Sequence, residues 1–224
     1  MSANLAALIW EATLQTLYMV AVSGVIGTAI GLPLGVFLAT SKRGELMSSP
    51  LANRVLGLVV NAMRSVPFII LVVAIIPFTR LIAGTSIGTT AAIVPLTLAA
   101  VPFIARIVET AIRDVDGGLI EAARAMGATP GQIIRKVLLP EALPGIVLGL
   151  TLAMVSLIGY SAMVGAVGGE GLGDLGIRYG YQRFMPEVML VVVIVLIVLV
   201  QAVQSTGEWI ARRLDHRAAT DRGL

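Results

Sequence analysis

Long stretches of this sequence carry no Asp, Glu, Lys or Arg, and that constrains the fold more than any motif does. Ala12 to Ser41, Leu81 to Ala105, Ala142 to Gly169 and Val188 to Gly207 are uncharged, and Val55 to Thr79 is apolar apart from Arg64. Each is long enough for the roughly 20 apolar residues that an α-helix needs to cross a bilayer. Lipid offers the backbone no hydrogen-bond partners, so an apolar span must satisfy its own amides, as a helix does. The expected fold is an all-α polytopic membrane protein with five transmembrane helices, at about 13–40, 55–79, 83–106, 142–164 and 187–208. Residues 1–11 are expected as an outer N-terminal tail, 12–205 as one membrane domain and 209–224 as an inner C-terminal tail. The first span starts too far from a basic segment, and lacks the short core and cleavage pattern, to read as a signal peptide. No internal repeat and no low-complexity linker divides the chain.

Composition agrees with this assignment and removes several function classes. The chain is 57% hydrophobic and 13% charged, against about 45–50% and about 25% in soluble domains. Cysteine is absent, which excludes disulfides, thiolate metal sites and thiol catalysis. The single histidine, His216, falls in the polar C-terminal tail. The uncharged spans hold no acid–base or nucleophile pair of the kind an intramembrane enzyme needs. They also lack the mid-membrane carboxylates of ion-coupled transporters.

The net charge of +3 has a topological meaning. With the N-terminus outside, the outer segments hold only Arg80, Arg178 and Arg183. The inner ones hold Lys42, Arg43, Arg54, Arg106, Arg113, Arg124, Arg135, Lys136, Arg212, Arg213, Arg217 and Arg222. Basic residues collect on the cytoplasmic side of membrane proteins. A nucleic-acid partner is therefore not expected.

Pro33, Pro67, Pro77, Pro95 and Pro102 interrupt the spans, and each removes a backbone donor and permits a kink. Gly27, Gly31 and Gly35 form a ridge at four-residue spacing, which lets another helix approach closely, within the subunit or across a dimer. Arg64 either snorkels to the inner interface, beside Asn61 and Arg54, or finds a bundle partner such as Glu109 or Asp114.

The longest inner loop, about Arg106 to Glu141, is too long and too patterned for a mere connection. Leu119, Ala122, Ala123 and Met126 recur at helical spacing as one apolar face. Glu121 and Arg124 are placed to pair weakly. Gly127 suits a helix C-cap, and Thr129-Pro130 restarts a helix with an N-cap and a first-turn proline. Ile133, Ile134, Val137 and Leu138 make a second stripe flanked by Arg135 and Lys136, and Pro140 closes the unit. Such a helix pair either lies on the inner leaflet or docks into a groove on a cytoplasmic partner.

Glu121-Ala122-Ala123, three residues, Gly127, nine residues, then Val137-Leu138-Leu139-Pro140 resembles the EAA loop of type I ABC importer permeases, which commonly have isoleucine where Val137 stands. The resemblance implies that Glu121, Ala122, Ala123, Gly127, Val137, Leu139 and Pro140 belong to a coupling helix inserted into an ATPase subunit. Arg64-Ser65-Val66-Pro67-Phe68, Ile76-Pro77-Phe78-Thr79-Arg80, Pro102-Phe103-Ile104-Ala105-Arg106 and Gly159-Tyr160-Ser161-Ala162-Met163 look like the methionine importer permeases. This implies methionine as cargo, with another small amino acid as the alternative, in a bacterial inner membrane. No catalysis is expected in this chain, because it lacks the Gly-x-x-x-x-Gly-Lys-Ser/Thr phosphate loop. ATP and magnesium would be bound by the ATPase. The implied partners are two ATPase subunits, a second copy of the chain, a periplasmic or lipoprotein substrate-binding protein, and lipid. Five helices hardly wall a two-gated path alone, so a two-fold homodimer is expected. A non-ABC channel or secondary transporter is the competing class, and uptake by the chain alone without ATP would reveal it.

The fourth span ends in Gly159-Tyr160-Ser161-Ala162-Met163, before a glycine-rich stretch to Gly180. Small residues there permit helix breaks and close approach of a substrate. Tyr160, Ser161 and Met163 are the candidate translocation-path residues. Met163 is a polarizable side chain that either meets its symmetry mate at a pore or fills a packing gap.

Overall fold

The computed structural model describes residues 3–215, so His216, Arg217 and Arg222 lie outside the described residues. The described residues are helical almost throughout: α1 Ala3–Thr40, α2 Pro50–Ser65, α3 Phe68–Ala74, α4 Ile76–Ala83, α5 Thr89–Arg113, α6 Gly117–Ala125, α7 Pro130–Ile133, α8 Leu139–Gly165, α9 Gly171–Leu175 and α10 Pro186–Leu214. A π turn, Ile134–Leu138, joins α7 to α8, and a second, Gly176–Tyr181, follows α9. Four continuous helices are long and apolar enough to cross a membrane: Leu5–Thr40, Thr89–Arg113, Pro130–Gly165 and Pro186–Leu214.

The remaining span, expected as one helix at 55–79 that prolines could kink, is more than kinked. It is broken into α2, α3 and α4, with α2 and α3 bent by 101°. The break sits where the sequence demands one. The ring of Pro67 bars its predecessor from helical geometry, and Val66 is extended, with ψ 125°. The helix is started afresh by Pro67 as N-cap of α3 and by Pro77 in the first turn of α4. Pro33, Pro95 and Pro102, by contrast, stay inside continuous helices. At the N-terminus, α1 reaches back to Ala3 through the stretch expected as a tail, which is rich in the strong helix formers Ala and Leu.

α5 is the centre of the bundle. Leu96, Ile104 and Val108 are fully buried along it, and half of its most apolar window (50%) is buried, against 11% for α10. α10 is therefore the span least covered by the rest of the chain. The glycine ridge of α1 is spent on α5. A Cβ on Gly27 would lie 2.7 Å from Cβ of Ala100, on Gly31 2.9 Å from the Val101 carbonyl, and on Gly35 2.5 Å from the Ala105 carbonyl. The ridge packs within the subunit, so the dimer alternative for it falls away. Gly207 on α10 plays the same part against Thr151 of α8.

Candidate functional site

The expected coupling unit is built from α5 onward. Val115 tucks into the core beyond the end of α5, and Asp116 caps α6 by accepting from the Gly118 N–H at 2.6 Å. α6 packs on the π turn and α7. The four residues expected to form one apolar face are divided. Ala123 is buried, with Ile120 half-buried beside it, whereas Leu119 is 42% and Met126 81% exposed and Ala122 is exposed between them. The stripe i, i+3, i+7 from Leu119 therefore points away from the chain. Glu121 is exposed on the same helix, and among the described ion pairs none joins it to Arg124.

The turn that fixes this orientation is a complete helix stop. Gly127 has φ 78°, its N–H donates to the Arg124 carbonyl at 2.9 Å, and the Ala128 N–H donates to the Ala123 carbonyl at 3.0 Å. These are the two bonds of a Schellman motif, and Ala128 packs against the same buried cluster that holds Ala123. The turn closed by these bonds leaves the Ala123 side of α6 facing inward and the Leu119 side out. α7 then opens with a capping box: the Thr129 N–H donates to Gln132 Oε1 at 2.8 Å, and the Gln132 N–H to Thr129 Oγ1 at 3.4 Å. Thr129 and Pro130 act as the sequence suggested. Gln132, three residues on, was the legible half of the box that the motif reading missed.

Ile133, Ile134 and Leu138 are buried in the main core, Val137 and Leu139 are half-buried against it, and Arg135 and Lys136 are exposed. Pro140 does not end the unit as expected. The helix runs unbroken from Pro130 to Gly165. The π turn just before Pro140, with the Leu139 N–H donating to the Ile134 carbonyl, widens the helix where the proline ring would otherwise clash with the preceding turn. Of the motif residues, Glu121 and Ala122 reach the surface of α6, while Ala123, Val137 and Leu139 hold α6 and α7 to the bundle.

The motif reading also missed a charge cluster beside this unit. Glu109 of α5, only 4% exposed, pairs with both Arg106 and Arg113, three residues before and four after it. Arg106 Nη2 continues to the Gly57 carbonyl (3.1 Å) and Asn61 Oδ1 (2.9 Å) of α2. Arg113 reaches the Leu38 carbonyl at the end of α1 (3.3 Å), which Asn53 of α2 also caps (2.8 Å). A buried carboxylate is tolerated only with such partners, and here it ties three helices together. Glu109 is thus not the partner of Arg64. Among the described residues, Arg64 makes no hydrogen bond or ion pair. It lines a cleft beside α5 and α8.

At the opposite end, the three candidate path residues are not brought together. Tyr160 stacks on Phe68 of α3, centroids 4.4 Å apart and 13° between planes. Ser161 is buried, its hydroxyl donating to the Ile158 carbonyl at 2.7 Å, and Met163 is 46% exposed. Beside them a clamp joins distant parts of the chain. Glu170 Oε2 accepts from Thr89 Oγ1 (2.5 Å) and Gln15 Nε2 (3.1 Å), while the Gly171 and Leu172 N–H groups donate to Gln15 and Thr16. Glu170 holds a positive φ of 60° to do so, a strained backbone for a non-glycine residue. No group of three His, Cys, Asp or Glu placed to hold a metal occurs among the described residues.

Comparison with known proteins extends these observations. Residues 31–218 match the family model described as binding-protein-dependent transport system inner membrane component. The chain is 60% identical to the probable D-methionine transport system permease protein of Vibrio cholerae over 94% of this chain and 93% of that one. It is 48% identical to the corresponding protein of Pasteurella multocida over 93% and 98%. A chain of the MetNI methionine ABC transporter, solved in inward-facing conformations, superposes with a TM-score of 0.94 at 51% identity, covering 96% of this chain and all (100%) of the other.

Proposed function

The chain belongs to the family of binding-protein-dependent transport system inner membrane components, and from that premise we propose that it forms the translocation pathway of an ATP-driven methionine importer. It is a permease subunit of an ABC importer, and its relatives name the cargo. It works as two copies with two ATPase subunits, which bind ATP and magnesium, and receives cargo from a substrate-binding protein outside. The basic residues at the α6 end support placing that end, with the C-terminus, in the cytoplasm and the N-terminus outside.

One observation carries the coupling role: α6 leaves Leu119, Ala122 and Met126 facing outward while Ile120 and Ala123 anchor it. An exposed apolar face flanked by Glu121 and Arg124 is unfavourable in water and suited to a partner's groove. ATP-dependent closure of the ATPases would displace α6, and the helix it is packed on would carry the change to Tyr160 and Met163. Energy enters as a difference in stability between inward- and outward-facing states.

The test is ATP-dependent methionine uptake by membrane vesicles containing the reconstituted complex. Glu121→Lys should leave the permease folded in the membrane but uncouple or release the ATPase. Normal co-purification and transport by that variant would sink the coupling assignment. Uptake by the permease alone, without ATP, would sink the importer reading.

A further inference from the structure

Arg64 stands near the end of α2, beside Phe103 and Arg106 of α5, in a cleft of about 390 Å³ whose lining continues through Thr110 and Asp114 to Gly145 of α8. That volume lies in the range of small-molecule sites, roughly 300–1,000 Å³. Phe103 lies just inside the span that ends at about residue 106, and Arg106 belongs to the inner segment, so the deep end of the cleft reaches the inner edge of the membrane. A charge there that lacks a partner is a functional-pathway hypothesis. Arg64 has none among the described residues. The nearest buried carboxylate, Glu109, is taken by Arg106 and Arg113, and Asp114 lies two helical turns beyond Arg106 at the other end of the cleft. The deep wall therefore carries Arg64, which has no carboxylate partner, beside an Arg106–Glu109–Arg113 cluster that itself keeps one net positive charge, and the mouth carries the carboxylate of Asp114.

We propose that Arg64 is an anion anchor in the cargo's exit route, where its guanidinium receives the carboxylate of the amino acid before release past Thr110 and Asp114. This rests on the reading of the chain as an amino-acid permease. A planar guanidinium matches a carboxylate two bonds at a time. Its solvent-facing position lets the cargo be handed on rather than retained. The cleft leads from the Arg64 cation of α2 along α5 to the Asp114 carboxylate that caps it, so the zwitterion meets a partner for each of its charges in turn.

The absence of cysteine from the chain makes a charge-rescue experiment direct. Arg64→Cys, in a complex whose other subunits are free of cysteine, should assemble and hydrolyse ATP as the parent does but lose uptake about tenfold or more, the scale of one charge-assisted bond pair. An aminoethyl methanethiosulfonate reagent, which restores a cation, should recover most of the uptake. The neutral methyl reagent should not. Arg64→Lys should retain an intermediate rate. Uptake at the parental rate in Arg64→Cys, or equal effects of the two reagents, overturns the proposal. A second arm compares vesicles with and without phosphatidylglycerol. If the charge at position 64 matters only where anionic lipid is present, the anion is a headgroup phosphate and the cargo assignment is overturned. Failure of the parent complex to transport in the same vesicles would instead overturn the importer reading, and the anchor with it.

Discussion

The two ends of the bundle each place a short helix between membrane-crossing segments, and glycine serves opposite purposes in them. Around α9, glycine makes room. A Cβ on Gly173 would lie 2.4 Å from the Ala162 backbone, on Gly165 2.4 Å from the Asp174 N, and on Gly171 2.7 Å from Thr16 Oγ1. Around α6 and α7, Gly117, Gly127 and Gly131 have nothing within 4 Å of that position. There glycine fills no tight contact, and only Gly127, at φ 78°, is needed for its conformation. The α9 segment is thus set into the bundle, backbone against backbone, and is further held by the Glu170 clamp. The α6 unit is attached through one side and leaves the other bare. A segment of the first kind can move only with its bundle, whereas the second kind can present a face to another molecule.

Gly173→Val should be the most damaging change, costing about 3 kcal/mol or more because backbone must separate from backbone. Thermal unfolding of the detergent-solubilised protein should show it as a large loss of stability or of folded yield. Leu119→Asp with Met126→Asp should do the reverse: thermal stability within about 0.5 kcal/mol of the parent, as for surface changes, but ATPase co-purification reduced about tenfold or more. A stability loss there would mean that the α6 face is covered in the folded chain, and the contrast would collapse. Gly127→Ala should cost about 1–2 kcal/mol for its left-handed φ alone, read as faster hydrogen exchange of the Ala128 amide. Thr129→Ala should cost about 1 kcal/mol by removing half of the capping box, with the Gln132 amide losing protection. Gly131→Ala should be the mildest and of opposite sign, stabilising α7 by up to about 1 kcal/mol. The equivalent change at Gly173 should never stabilise.

How much of this was legible follows the distance over which each feature is decided. The spans were readable because a run without charge is a local property, and so were the stops at Gly127 and Thr129-Pro130, whose bonds all close within a few residues. The break at Pro67 was readable as a break, but its 101° bend depends on what α3 packs against, including the Phe68–Tyr160 stack. The division of the α6 face was hidden because helical spacing gives a stripe without saying which side the following turn pulls inward. Glu109 with Arg106 and Arg113 had the right spacing for ion pairs, yet its burial comes from α1 and α2. Nothing local could join Gln15, Thr89 and Glu170, whose clamp closes over 155 residues.

Continuity through Pro140 has a mechanical corollary. Since α7, the π turn and α8 form one helix of 36 residues, about 54 Å long, it can turn as one lever so long as the π turn and Pro144 do not bend. A tilt of only about 5° imposed at Pro130 would carry Met163 sideways by about 4 Å, given a rise of 1.5 Å per residue. A displacement of that size is comparable to the width of a side chain, so under the proposed function a small tilt at one end of this helix is amplified at the other.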